Sequence, residues 1–160
     1  MIESLEDYLD QTLLRVDVKE SDIQELCARS KELNIYGVCI PPFYTNLARK
    51  LLDESNTKVV TVVGFPFGYT NITSKAEATK KVISDGADEV DLVMNISAFL
   101  SENYSQVADE VESVHTLCNM NDRVLKVIIE TALLDKSQIA KACEICVEKE
   151  VDFVKTSTGF

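Results

Sequence analysis

The chain has 160 residues, 46% hydrophobic and 27% charged, a length and composition that suit one globular domain, 1-160, with a sizeable core. Its net charge of −11 argues against nucleic acid or an anionic membrane as a partner, since both need a basic field to replace released counterions. Any phosphate has to be held locally. The amino-terminal stretch MIESLEDYLDQTLL carries acids where a secretion signal carries Lys or Arg, and no apolar run nears the ~20 residues of a membrane span. The expected location is the cytoplasm. Cys27, Cys39, Cys118, Cys143 and Cys146 form an odd set without regular spacing, the pattern of reduced thiols.

Strand-like and helix-like periods alternate along the chain. Gln11–Val16 is a candidate first strand, and Glu20–Leu33 a helix with Ile23, Leu26 and Cys27 on one face. Tyr36–Ile40 and Val59–Phe65 read as buried strands. Gly64-Phe-Pro-Phe-Gly68 reads as a strand-to-helix turn, because bulky aromatics between two glycines match a phosphate loop poorly. Thr73–Asp85 is a helix that opens with Thr/Ser capping chemistry. After the strand Ala87–Met94 comes the helix Ser105–Leu117, with Val107, Val111 and Val114 in one stripe and His115 beside it, read as a surface residue. Val124–Ile129 is a strand and Lys136–Lys149 a helix. Cys143 and Cys146 lie three apart in that helix and read as small buried hydrophobes, since a zinc site would need partners the chain does not supply. Val151–Lys155 closes the series.

Strands separated by helices of about a dozen residues imply right-handed crossovers and a parallel sheet. The class is α/β, either a doubly wound sheet or a TIM-type barrel. Polar residues within or at the ends of apolar strands, namely Cys39, Asp91, Lys126, Glu130 and Lys155, favour the barrel, whose enzymes draw catalytic groups from several strand ends. The turn after the first strand, RVDVKESD, has no glycine, which disfavours a nucleotide-binding module.

Lys155 ends an apolar strand, with Phe153 and Ser157 on its face and Val154 and Thr156 on the other. It is either a strand-end lysine reaching solvent or, if buried, an amine whose pKa falls and which becomes a nucleophile. Asp91, inside an apolar strand, needs a cationic or hydrogen-bonded partner; Asp85 and Asp88 suit capping or solvent-facing roles better. Lys126 is either a surface lysine at a strand start or a second cation near Lys155. Cys39 on its own reads as core.

The segment Asp152-Phe-Val-Lys-Thr-Ser-Thr-Gly-Phe160 resembles the Schiff-base segment of the deoxyribose-phosphate aldolase family, class I aldolases. Asp10-Gln-Thr-Leu-Leu14, Gly37-Val-Cys-Ile-Pro41, Val63-Gly-Phe-Pro-Phe-Gly68, Gly86-Ala-Asp-Glu-Val-Asp-Leu-Val93 and Leu125-Lys-Val-Ile-Ile-Glu-Thr131 match that family's first five strand motifs in order. The resemblance implies that Lys155 forms the imine and that Asp91 relays protons through a water. It further implies that Lys126, Cys39 and Thr12 line the substrate site, that Asp10 is a supporting carboxylate, and that Thr158 and Gly159 shape the loop after Lys155. Implied partners are a small phosphorylated sugar and acetaldehyde, with no metal or cofactor.

The sequence departs from the family in Gln11, where relatives often have His, in Pro41-Pro42, and in length. It stops after the sixth of eight expected βα units, before the strand-seven lysine and the phosphate loops of strands seven and eight. The expectation is thus an incomplete barrel that pairs into a homo-oligomer through exposed strand edges. The rival expectation is a self-associating fragment without activity.

Overall fold

The computed structural model describes residues 4–160; the first three residues of the acidic amino-terminal stretch lie outside the described residues. The β-branched runs form six strands: β1 (Asp10–Thr12), β2 (Gly37–Ile40), β3 (Lys58–Val63), β4 (Glu89–Val93), β5 (Val124–Ile128) and β6 (Phe153–Lys155). Between them lie α1 (Glu20–Glu32), α2 (Thr45–Leu51), α3 (Ile72–Ser84), α4 (Ile96–Leu100), α5 (Tyr104–Asn119) and α6 (Lys136–Glu148).

Three local readings are corrected. The first strand is Asp10–Thr12 rather than Gln11–Val16. After Thr12 the chain leaves the sheet once Leu13 N–H has bonded to the Cys39 carbonyl (2.9 Å), and Val16 stands almost wholly in solvent. The cap of α3 is Asn71, whose side-chain oxygen accepts from Ser74 N–H (2.8 Å), in place of the expected Thr/Ser chemistry. The short helices α2 and α4 had no periodic signal; α4 is set by Asn95, whose side chain accepts from Ala98 N–H (3.1 Å).

Contacts group the chain into two units, Met1–Val62 with Val82–Glu89, and Val63–Lys81 with Val90–Phe160. In the first, β1, β2 and β3 run parallel in that order, with Asp10 opposite Gly37, Thr12 opposite Cys39 and Val38 opposite Val59. Ile23, Leu26 and Cys27 of α1 meet Val38, Ile40, Ala48, Leu52 and Val59 in a core onto which Leu13 and Val18 pack. The Asp88 carboxylate accepts from the Val59 amide (2.8 Å) and from Arg49 (3.0 Å), fixing the start of β3.

In the second unit the order is β4, β5, β6. β5 and β6 are parallel, with Lys126 opposite Phe153 and Ile128 opposite Lys155. The buried stripe Val107, Val111, Val114 and Cys118 marks the inner face of α5, which packs on β5, α4 and α6. Asp152 repeats the part of Asp88, its carboxylate accepting from the Leu125 amide (2.8 Å). α6 opens with a reciprocal cap in which Asp135 accepts from Gln138 N–H (2.9 Å) and Gln138 accepts from Asp135 N–H (2.9 Å).

Candidate active site

Successive strands of the second unit supply the chemistry. Strand alternation and the β5–β6 register place Lys126 and Lys155 on one face. The carboxylate of Asp91, in the middle of β4, is fully buried and takes both cations. Lys155 Nζ donates to its Oδ2, and Lys126 Nζ lies 3.6 Å from its Oδ1. A buried carboxylate demands such partners, so Asp91 is neither a capping nor a solvent-facing residue. With all three ionised the trio carries one net positive charge, a local inversion of the field in a chain of net charge −11.

The two lysines differ in access. Lys126 has 9% of its side chain exposed and is no surface lysine, whereas Lys155 keeps 31%. Of the two alternatives for Lys155, solvent-facing or buried, the structure shows an intermediate: Nζ is held by the carboxylate while the side chain stays partly exposed. That is the access an entering carbonyl compound requires.

The segment after Lys155 is strapped down by Glu130, one of the strand-end polar residues that favour the barrel. Glu130 follows β5 in a left-handed conformation (φ 52°), and its Oε2 accepts from Thr158 N–H (3.0 Å) and Thr158 Oγ1 (2.6 Å). Thr131 N–H donates to the Thr156 carbonyl (2.8 Å), and the Phe160 ring meets Phe65 edge-to-face at 5.2 Å. Gly159 makes the bend at φ 85°, with nothing near the place a Cβ would occupy. The signal for Glu130 was an acid directly after the apolar run VLKVII.

Asp10, Thr12 and Cys39 belong to the first unit, where Thr12 is exposed and faces the buried Cys39 across the β1–β2 ladder. Asp10 is half-buried over Gly37, where a Cβ would stand 2.6 Å from its Oδ1, so the glycine makes room for this carboxylate. The structure brings these three together with one another, as it brings together Asp91, Lys126 and Lys155.

A second buried ion pair escaped the sequence reading. Lys75 of α3 and Glu110 of α5, 0% and 1% exposed, are in direct contact. Lys75 Nζ also donates to the carbonyls of Gly68 (2.6 Å) and Val93 (2.8 Å), and Glu110 Oε2 accepts from Asn95 N–H (3.0 Å). Burial pushes the Lys75 ammonium down and the Glu110 carboxyl up from their ordinary pKa values, and their mutual attraction opposes both shifts. The signal was present: Lys75 shares the stripe of Thr79 and Val82, and Glu110 that of Val107 and Val114, charges of opposite sign on core-facing helical positions.

The five cysteines are free thiols. Burial pushes Cys27 up to about 11 and Cys118 and Cys146 up to about 12, so these three act as core residues. Cys143 is half-buried, as is His115, which the sequence reading had placed on the surface. Among the described residues no group of three or more His, Cys, Asp or Glu side chains is arranged to hold a metal, and no helix is long and apolar enough to cross a membrane.

Strands alternating with helices, and a lysine–carboxylate–lysine cluster drawn from three consecutive strands, define an α/β barrel-type lyase. The chain belongs to the DeoC/LacD family of aldolases, whose model matches residues 7–160. It is 44% identical to the deoxyribose-phosphate aldolase of Finegoldia magna over 156 residues, covering 98% of this chain and 72% of the relative. It is 40% identical to that of Ureaplasma parvum, covering 96% and 70%. Among solved structures it is similar to the aldolase QR15 (TM-score 0.94, 39% identity, 100% of this chain and 70% of that one). It is similar too to the tetrameric deoxyribose phosphate aldolase of Aeropyrum pernix (TM-score 0.90, 29% identity, 97% and 64%).

Proposed function

We propose that this aldolase-family chain acts on 2-deoxy-D-ribose 5-phosphate, interconverting it with acetaldehyde and glyceraldehyde 3-phosphate through a Schiff base on Lys155. The observation that carries the reading is the contact of a half-exposed strand-end lysine with a buried carboxylate that a second lysine also faces. The names of the relatives supply the substrate.

The chemistry follows from those three groups. Asp91 accepts the proton of the Lys155 ammonium along the existing hydrogen bond, leaving an amine lone pair that attacks the aldehyde carbon of the ring-opened sugar. The carbonyl oxygen takes one proton from the attacking nitrogen and a second from Asp91, leaves as water and gives a protonated imine. Loss of the proton from the hydroxyl beyond the alpha carbon then breaks the carbon–carbon bond. Its electron pair enters the imine to form an enamine, and glyceraldehyde 3-phosphate departs. Protonation of the enamine carbon and addition of water release acetaldehyde and restore the lysine. Asp91, through a bound water, is the group that moves these protons. Lys126 Nζ, fixed against the far oxygen of Asp91, donates to a substrate hydroxyl and disfavours a second positive charge on Lys155. Thr158, held by Glu130, and Gly159 after it shape the mouth beside Lys155. The setting is deoxyribose catabolism in the cytoplasm by a homo-oligomer.

Incubation with acetaldehyde and borohydride, followed by peptide mass analysis, tests this reading. A two-carbon adduct is expected on Lys155 and absent in Lys155→Leu. No adduct, or adducts spread evenly over surface lysines, would leave the chain an aldolase by descent without the chemistry of one.

A further inference from the structure

The end of β4 is secured in an unusual way. Backbone groups of three successive residues are tied down where the strand ends, and two of them are taken by helix side chains. The Val93 carbonyl accepts from Lys75 Nζ (2.8 Å), and Asn95 N–H donates to Glu110 (3.0 Å). Only Met94 N–H, donating to the Ile128 carbonyl (3.0 Å), is tied to β5. Lys75 also holds the Gly68 carbonyl (2.6 Å). Gly68, at φ 73°, lies so close to the Met94 carbonyl that a Cβ there would fall on its oxygen.

We propose that Lys75 and Glu110 form a positioning pair that holds the carboxyl end of β4 and thereby sets where Asp91 stands against Lys155. Neither residue touches the site itself. Buried ion pairs are often replaced by apolar residues of similar volume without loss of stability. What apolar residues would not reproduce here is the pair of bonds to the Val93 carbonyl and the Asn95 amide. Asp91 lies two residues before Val93 on the same strand, so a displacement of that strand end carries its carboxylate with it. Misplacement by about 1 Å costs up to about a hundredfold in rate. The inference rests on the Schiff-base reading for its catalytic consequence, and on the structure alone for the placement of β4.

The test is Lys75→Met/Glu110→Leu, which removes both charges and leaves none buried alone. With the circular dichroism spectrum unchanged, the maximal rate of borohydride-trapped acetaldehyde addition to Lys155 is expected to fall about tenfold. The half-saturating acetaldehyde concentration should stay as it was. In an Asp91→Asn background the same two substitutions should cost nothing further, because the group they position is gone. The carboxyl carbon resonance of Asp91, assigned by its loss in Asp91→Asn, should move, while that of Asp152 stays. An unmoved Asp91 resonance, an unchanged trapping rate, or a tenfold loss repeated in the Asp91→Asn background would each overturn the proposal. If the unsubstituted chain forms no adduct while the Asp91 resonance still responds, the Schiff-base reading falls and the positioning pair stands.

Discussion

Lys75→Met alone should be among the most damaging single substitutions in this chain, and its damage should depend on pH. The change keeps the length of the side chain but removes the cation against Glu110, whose carboxylate is 1% exposed. It also removes the donor to the Gly68 and Val93 carbonyls. Breaking one side of a buried pair costs about 3–5 kcal/mol, because the remaining charge is left without compensation. Replacing both partners by apolar residues leaves no charge buried alone, so that double change should lose the pH dependence. The pH dependence follows from Glu110. Burial already raises its carboxyl and Lys75 opposes that rise, so without Lys75 the raised value in the folded state goes up further. A carboxyl whose folded value lies above its unfolded one contributes stability that is complete below the unfolded value. That contribution is lost as pH climbs through the folded value. Urea denaturation should therefore show a larger deficit at about pH 8 than at about pH 5. A deficit under about 1 kcal/mol, or one that grows toward acid, would refute the uncompensated-charge argument.

Two glycines with similar backbone angles should respond differently to alanine. Gly68→Ala drives a Cβ onto the Met94 carbonyl and should lower stability by about 3 kcal/mol or more in thermal melts. Gly159→Ala meets only backbone strain and should cost no more than about 1–2 kcal/mol. Native-state alkylation at about pH 8, read by peptide mass, should label Cys143 first, while Cys27, Cys118 and Cys146 react only on unfolding.

Much of this was legible in the sequence because period and polarity agree in the strands. The interruption of apolar runs by Asp91, Lys126 and Lys155 marked all three as candidates, with surface alternatives open for both lysines, and the ordered motifs named the family. What the linear pattern could not supply was distance. Asp91 and Lys155 are 64 positions apart and meet only because β4 and β6 point one residue each at a common place. The same holds for Lys75 and Glu110: each helix shows a charge in its core-facing stripe, but not that the two charges meet. For Lys155 the strand pattern leaves open a solvent-facing or a buried side chain, and a three-residue strand that gives way to the Thr156–Phe160 segment leaves it between the two. The helices α2 and α4 span too few residues for a 3.6-residue period to declare itself.

Asp88 and Asp152 each reach back to the amide of the second residue of an earlier strand, Val59 and Leu125 respectively. Parallel strands are joined by long helical connections, which, unlike a hairpin turn, say nothing about which residue of one strand faces which residue of the next. Each aspartate works as an indexing pin, giving a single answer to that question where the strands begin. Because side chains alternate from face to face, a slip of one residue between β5 and β6 would swing Lys155 to the opposite face of the sheet, away from Lys126. The meeting of nucleophile and carboxylate at one end of the strands is thus decided in part at the other end, by an acid that takes no part in the chemistry.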